Sequence, residues 1–267
     1  MKSIAERLAE SPRPLLIGHR GYASRAPENT LPSFQLALAA GADLIELDYH
    51  HSRDGVPVVI HDRLLDRTTD ARKKWKRRRH KVSLKTVAEL QTLDVGSWFD
   101  ITHCGVKIST LAEALEFICS RGGVPLIEHK SGNAETLVKL LHARNLVNRV
   151  VVISFDWKFL RDFHALEPRQ VLGALGPPAR LSHGRRPVHV RRKLGSRLAD
   201  LAKTGARIAV WNRKISKRSI RGAQARGLKV WVYTLDDAKS ARKLLRLGVD
   251  GIITNRIEAI RPVVSEF

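Results

Sequence analysis

Short apolar, β-branched runs alternate with stretches of helical period along nearly the whole of this 267-residue chain, and that alternation leaves few folds open. The runs begin with LLIG at Leu15 and recur at Leu44–Tyr49, Val56–Ile60, Val124–Glu128, Val150–Ser154, Gln170–Ala174, Arg207–Trp211, Leu228–Thr234 and Gly251–Thr254. Between them the spacing predicts helices over Leu31–Ala40, Leu111–Ser120, Ala134–Arg144, Trp157–Leu166, Val190–Lys203, Ser216–Arg226 and Asp236–Leu247. Strands separated by helices pair in parallel, because each crossover returns the chain to the same end of the sheet. Counting Leu44–Ile60 as one strand with a hairpin extension gives eight βα units, which points to a (β/α)8 TIM barrel rather than an open sheet. The length suits one such domain over residues 1–267. The polar, irregular stretch from about 62 to 107, helical only near Leu84–Leu93, reads as a small insertion after the second strand region.

In such a barrel the active site lies at the C-terminal strand ends, where the polar residues of this chain fall. His19 follows the first strand, Glu46 and Asp48 lie toward the end of the second, and Glu128 and Lys130 close the next barrel strand. Within Ser52-Arg53-Asp54-Gly55 the Asp-Gly pair is a hairpin signal, and folding back there sets His61 opposite Asp48, or one residue away if the strand carries a bulge. Glu46 and Asp48 are two apart in a strand and share a face. Two such carboxylates repel unless a cation lies between them or one is protonated. Together with Glu128 they offer three oxygen ligands and no thiolate, a set that favours Mg²⁺ or Ca²⁺ over zinc. The alternative is that these acids pair with the chain's many arginines. His19 and His61, with an ordinary pKa of about 6.5, suit a general base and a general acid at neutral pH. Arg20 by its fork and Lys130 as a point charge suit a phosphate. Metal, acid, base and cationic clamp together describe phosphoester cleavage. His50, His51, His129 and His142 have no comparable setting, and His129 alternates outward between Glu128 and Lys130.

The ordered set His19-Arg20-Gly21, Pro27-Glu28-Asn29-Thr30, Glu46-x-Asp48, Asp54-Gly55, Pro57-Val58-Val59-x-His61-Asp62 and Arg67-Thr68-Thr69 resembles the glycerophosphodiester phosphodiesterases. The likeness continues through Glu128-x-Lys130, Ser154-Phe155 and the C-terminal Gly248–Thr254, so it covers nearly the whole chain in order. The resemblance implies a TIM barrel with a small insertion and hydrolysis of glycerophosphodiesters to glycerol 3-phosphate and an alcohol. It implies one divalent metal ion on Glu46, Asp48 and Glu128, with His19 and His61 as the acid–base pair and Arg20 and Lys130 on the phosphate. It also places Tyr233 among the substrate-binding residues, in a late strand where the family often has tryptophan. Further departures are Thr254-Asn255 in place of Thr-Asp, the missing proline after it, and the basic character of the insertion.

Lysine and arginine number 48 against 26 acidic residues, a net charge of +22. The run Arg72–Lys81 is almost unbroken cation, with further patches at Arg185-Arg186, Arg191–Lys193 and Arg213–Arg226. Such a surface attracts polyanions or an anionic membrane face, or steers an anionic substrate. Two alternatives follow: a lysophospholipase D working at an anionic membrane through Arg72–Lys81, or a basic nucleic-acid-binding protein on the barrel scaffold. The second has only charge behind it, since no recognition motif or stacking array accompanies it. No apolar run is long enough to span a membrane. The N-terminus carries acidic residues and lacks the apolar core of a secretory signal, which leads us to expect a cytoplasmic protein. Cys104 and Cys119 form no ligand motif and read as free thiols.

Overall fold

The structure is a computed structural model that describes residues 2–76, 79–178 and 194–267. Its strands are β1 (Leu15–Gly18), β2 (Leu44–His51), β3 (Pro57–Val59), β4 (Pro125–His129), β5 (Val151–Ser154), β6 (Val171–Gly176), β7 (Ile208–Asn212), β8 (Lys229–Tyr233) and β9 (Gly251–Thr254). By contact the chain divides into two compact units. Arg77, Arg78, the patches at Arg185–Lys193 and the start of the expected Val190–Lys203 helix lie outside the described residues.

The first unit comprises residues up to Ile17, Asn133–Thr254 and Glu258–Phe267. Its strands follow the order β1-β9-β8-β7-β6-β5, and β5 to β9 pair in parallel with their neighbours. The strands are apolar on both faces, as parallel strands covered by helices are, and Trp231, Val232 and Ile252 are wholly buried. The helices Ala134–Ala143, Trp157–Leu166, Lys217–Gln224 and Ala238–Arg246 begin on Asn133, Asp156, Ser216 and Asp237, each capping a free backbone N–H. The described part of the expected Val190–Lys203 helix is a 3₁₀ turn, Leu194–Arg197, followed by a short α-helix, Leu198–Ala202. Three described α-helices have no counterpart in the sequence-based expectation, Ile4–Ala9, Ala71–Trp75 and Ile257–Val264. The first carries a Ser3–Glu6 capping box that could have announced it.

The second unit, Gly18–Gly132 with Asn255–Ile257, has the strand order β4-β2-β3. β2 pairs in parallel with β4, which sets Asp48 directly beside Glu128. It pairs antiparallel with β3 after a turn in which Gly55 takes φ +78°. The ladder joins Tyr49 to Val59 and His50 to Val58, and the Ile60 N–H donates to the Asp48 carbonyl at 3.0 Å. The expectation that His61 stands opposite Asp48 is therefore off by one residue. The five residues of the loop, 52–56, close through Ser52 and Val56 instead of forming a two-residue turn.

Residues 62–107 are irregular but not coreless. Val58, Ile60, Leu65, Ala71, Val82, Leu90, Leu93, Val95 and Ile108 form one buried cluster. The expected helical stretch near Leu84–Leu93 is two pieces, a 3₁₀ turn Val82–Leu84 and a helix Val87–Gln91 started by a Thr86–Glu89 capping box. Trp75, in the middle of the basic run, packs against the cluster with Lys85 Nζ 4.1 Å from its ring centroid, so it is not displayed outward with its charged neighbours. Cys104 and Cys119 are free thiols.

Candidate active site

All but one of the site residues expected from sequence fall in the second unit, around the ends of β2 and β4. Side chains alternate along β2, so Ile45, Leu47 and Tyr49 are buried on one face while Glu46 and Asp48 occupy the other. The parallel register brings Glu128 alongside, and ligand oxygens of Glu46, Asp48 and Glu128 all lie within 4.8 Å of one another. Each of the three residues is less than a tenth exposed.

Two cations face the three carboxylates. Lys130 Nζ bonds Glu128 Oε1 and lies 3.0 Å from Asp48 Oδ1. Arg20 Nε lies 3.3 Å from Asp48 Oδ2, and the Arg20 backbone N–H donates to Glu46 Oε2 at 2.6 Å. Asn29 completes the hold on Asp48, donating Nδ2–H to Oδ2 at 2.8 Å and accepting the Asp48 N–H at 3.0 Å. Glu46 Oε1 is buried without any hydrogen-bond partner, and Asp48 Oδ1 has Lys130 near it only outside hydrogen-bonding geometry.

The charge imbalance shows in the acidities. Burial, then the neighbouring Asp48 and Glu128 charges, push Glu46 well above the usual carboxylate range. Burial lifts Glu128 to about 7 against the opposing pull of Lys130. Asp48 is also lifted by burial, but Lys130 and Arg20 outweigh it and hold the group below its ordinary value. Ionised together, three buried carboxylates would exceed the two cations by one charge, and Glu46 Oε1 is orphaned, so the site can take either an added cation or a proton. Oxygen donors alone are the set that hard divalent cations favour.

The loop after β1 is built to carry Arg20. Arg20 and Asn29 both take left-handed backbone conformations, φ +53° and +59°. The Arg20 carbonyl accepts from the Asn29 N–H and Ser33 Oγ, which fixes the turn. Gly21, φ +84°, lies so near Ser33 that a Cβ would fall 2.4 Å from its Oγ and 2.7 Å from its carbonyl carbon. No other residue fits there.

The two histidines have different partners. His19 Nδ1 is 2.7 Å from Asn255 Oδ1. An amide oxygen only accepts, so this ring carries its proton on Nδ1 and keeps a lone pair on Nε2. Burial, then the Arg20 charge, lower its pKa to about 4. His61 Nδ1 is 2.6 Å from Asp62 Oδ1. Burial, helped by the Lys130 and Arg20 charges, lowers its pKa below the ordinary value, although Asp48 and Asp62 pull it up. His50, given no role from sequence, has Nε2 3.0 Å from the His61 carbonyl and Nδ1 3.1 Å from Ser131 Oγ. Its spacing from Asp48 on the strand was the signal that could have found it. Glu28, Asn29, Asp62, Arg67 and Asn255 likewise belong to the cluster by contact.

Tyr233 is the exception. It ends β8 in the first unit, where its hydroxyl donates to the Gly176 carbonyl at 2.9 Å and its ring meets Phe155 edge-on.

The glycerophosphoryl diester phosphodiesterase family model matches residues 19–259. The chain belongs to that family. A glycerophosphodiester phosphodiesterase from Caldanaerobacter subterraneus is 31% identical over 258 residues, covering 94% of this chain and 98% of the relative. Among solved structures, a phosphodiesterase from Oleispira antarctica in complex with the product sn-glycerol-3-phosphate superposes with a TM-score of 0.81 at 27% identity, covering 96% of this chain and 99% of that one. A glycerophosphodiester phosphodiesterase from Agrobacterium tumefaciens gives 0.76 at 27% identity over 93% and 99%. This glycerophosphodiester phosphodiesterase is thus a hydrolase with the (β/α)8 TIM-barrel fold. Among its described residues no helix is long and apolar enough to cross a membrane.

Proposed function

We propose that the protein hydrolyses glycerophosphodiesters to glycerol 3-phosphate and an alcohol, using a divalent cation on Glu46, Asp48 and Glu128 and acid–base catalysis by His19 and His61. What carries this reading is the buried carboxylate triad beside two histidines, one with Nδ1 on an amide oxygen and the other with Nδ1 on a carboxylate. Mg²⁺ or Ca²⁺ bound there would offset charge developing on the phosphoryl oxygens. Arg20 and Lys130, both beside Asp48, orient the phosphate. His19, neutral with its Nε2 lone pair, takes the proton of the substrate hydroxyl next to the phosphate as that hydroxyl attacks phosphorus. His61, whose imidazolium the Asp62 carboxylate stabilises, gives a proton to the departing alcohol. The two exchange roles as water opens the cyclic phosphate. The product held by the Oleispira relative fits the same outcome.

The test is hydrolysis of a glycerophosphodiester panel by His19→Ala and His61→Ala, with the wild type assayed before and after chelation. Each substitution should cost roughly 10²–10⁴-fold in kcat, and chelation should abolish turnover until Mg²⁺ or Ca²⁺ is restored. Full turnover by His61→Ala would remove its assigned role, and indifference to chelation would remove the metal.

A second reading concerns where the substrate is met. Lys73, Lys76, Arg79 and Lys81 are exposed and have no ion-pair partner among the described residues, whereas Arg72 is tied to Asp66 and Lys74 to the Thr92 carbonyl. Leu84, 60% exposed, follows directly. This face suits an anionic lipid surface, with each cation contributing about 1 kcal/mol. Co-sedimentation with phosphatidylcholine vesicles, with and without an anionic lipid, should show binding only to the anionic ones, lost when the four residues become Glu. Equal binding by both forms, or preference for RNA over vesicles, would overturn it.

A further inference from the structure

We infer that Arg67 is a positioning residue for the reaction, locking Asp62, and through it the His61 ring, to the Glu28–Arg20 arm of the loop after β1. The inference rests on the acid–base reading of His61 given above. Arg67 donates from Nε and Nη2 to the two oxygens of Asp62, at 2.7 and 3.2 Å. From Nη1 and Nη2 it donates to the two oxygens of Glu28, at 2.9 and 2.7 Å. Glu28 Oε1 also accepts from Arg20 Nη1 at 2.7 Å, and Arg20 Nε reaches Asp48. Alternating charges thus run without a break from the His61 ring to a candidate metal ligand, through residues drawn from three separate stretches of chain.

The geometry needs an arginine. A carboxylate on one side of an imidazole can swing about its own torsion and carry the hydrogen bond with it. Holding both oxygens of Asp62 with a planar fork removes that freedom, and the remaining face of the same fork fixes the fork itself on Glu28. A lysine ammonium would supply the charge without the plane. The His50 contact to the His61 carbonyl holds the backbone but leaves the ring free to turn, so ring orientation depends on Asp62. Arg67 is 45% exposed, and exposed ion pairs add little to stability, so its value lies in geometry. Its hydrogen bonds go to Asp62 and Glu28 rather than to a histidine.

Removing the Arg67 charge also changes what His61 feels. The groups facing His61 are Asp62, Asp48, Lys130, Arg20 and His50. Without Arg67 that surrounding becomes more negative, which favours imidazolium and moves the His61 limb of the rate profile to higher pH.

The experiment is steady-state kinetics against pH on Arg67→Ala, Arg67→Lys, Asp62→Asn, Arg67→Ala/Asp62→Asn and His61→Ala, each with a thermal melt. Arg67→Ala should lower kcat roughly 10–100-fold, leave KM and Tm little changed and raise the limb. Arg67→Lys should recover only part of kcat, and the double variant should be no slower than Asp62→Asn alone. Wild-type kcat in Arg67→Ala, or a raised KM at unchanged kcat, would overturn the inference, the latter marking a substrate contact. A limb that stays put while Tm falls would also overturn it, marking a structural role. If Arg67→Ala does not fold, an unaltered kcat in Arg67→Lys overturns it instead. Full turnover in His61→Ala would sink the acid–base reading itself, whereas an inactive His61→Ala beside a fully active Arg67→Ala would sink only the role of Arg67.

Discussion

His19 and His61 differ in the atom that faces Nδ1, an amide oxygen for one and a carboxylate for the other. The difference has a consequence for stability. Burial lowers the His19 pKa to about 4, while the unfolded chain takes up its proton near the ordinary value of about 6.5. Stability from keeping this ring neutral is therefore whole above pH ~6.5 and lost as pH falls from there toward 4. Wild type should lose more stability than His19→Gln between pH 7.5 and 4.5, by on the order of 2 kcal/mol. Urea denaturation at the two pH values measures it, and equal losses would show that the ring is not held neutral by the fold. The tie to Asn255 was invisible in sequence because the two residues lie 236 apart. The spacing of Glu46 and Asp48, by contrast, was legible because a strand of period 2 needs no tertiary information to place them on one face.

At the scale of elements, what could be read was what local physics decides. Leu111–Ser120 and Trp157–Leu166 have the expected bounds because a capping residue opens each and an apolar stripe runs its length. The hairpin at Asp54-Gly55 formed as expected, but its register came from the Ser52–Val56 closure, a detail of loop geometry that the dipeptide does not encode. Residues 62–107 hid their core for a related reason. Val82, Leu90, Leu93 and Val95 are spaced at no single period and meet only because short turns gather them. Leu90 is wholly buried in that cluster. Leu90→Ala should therefore cost about 2–5 kcal/mol, as a core truncation does, rather than the near-zero change of a loop position. Chemical denaturation reads it, and a change below about 0.5 kcal/mol would show that the cluster contributes nothing to folding.

At the scale of the whole molecule the dominant fact is the net charge of +22. Like charges on a compact body repel, and the unfolded chain relieves that repulsion by spreading them apart. The same field draws an anionic phosphodiester toward its site. Salt screens both effects over a distance of about 8–10 Å near physiological strength, so one variable should move two observables in opposite directions. Raising sodium chloride from low to physiological concentration should raise Tm, because repulsion is screened more than the short ion pairs at Asp48, Glu28 and Asp62. It should lower kcat/KM for glycerophosphodiesters while leaving kcat nearly unchanged, because the groups proposed for the chemical step are buried where salt does not reach. Charge-reversing Lys73, Lys76, Arg79 and Lys81 to Glu should flatten both slopes together if that face supplies much of the field. A kcat/KM indifferent to salt in the wild type would show that the positive surface does not guide the substrate, and would leave an anionic binding partner as its remaining use.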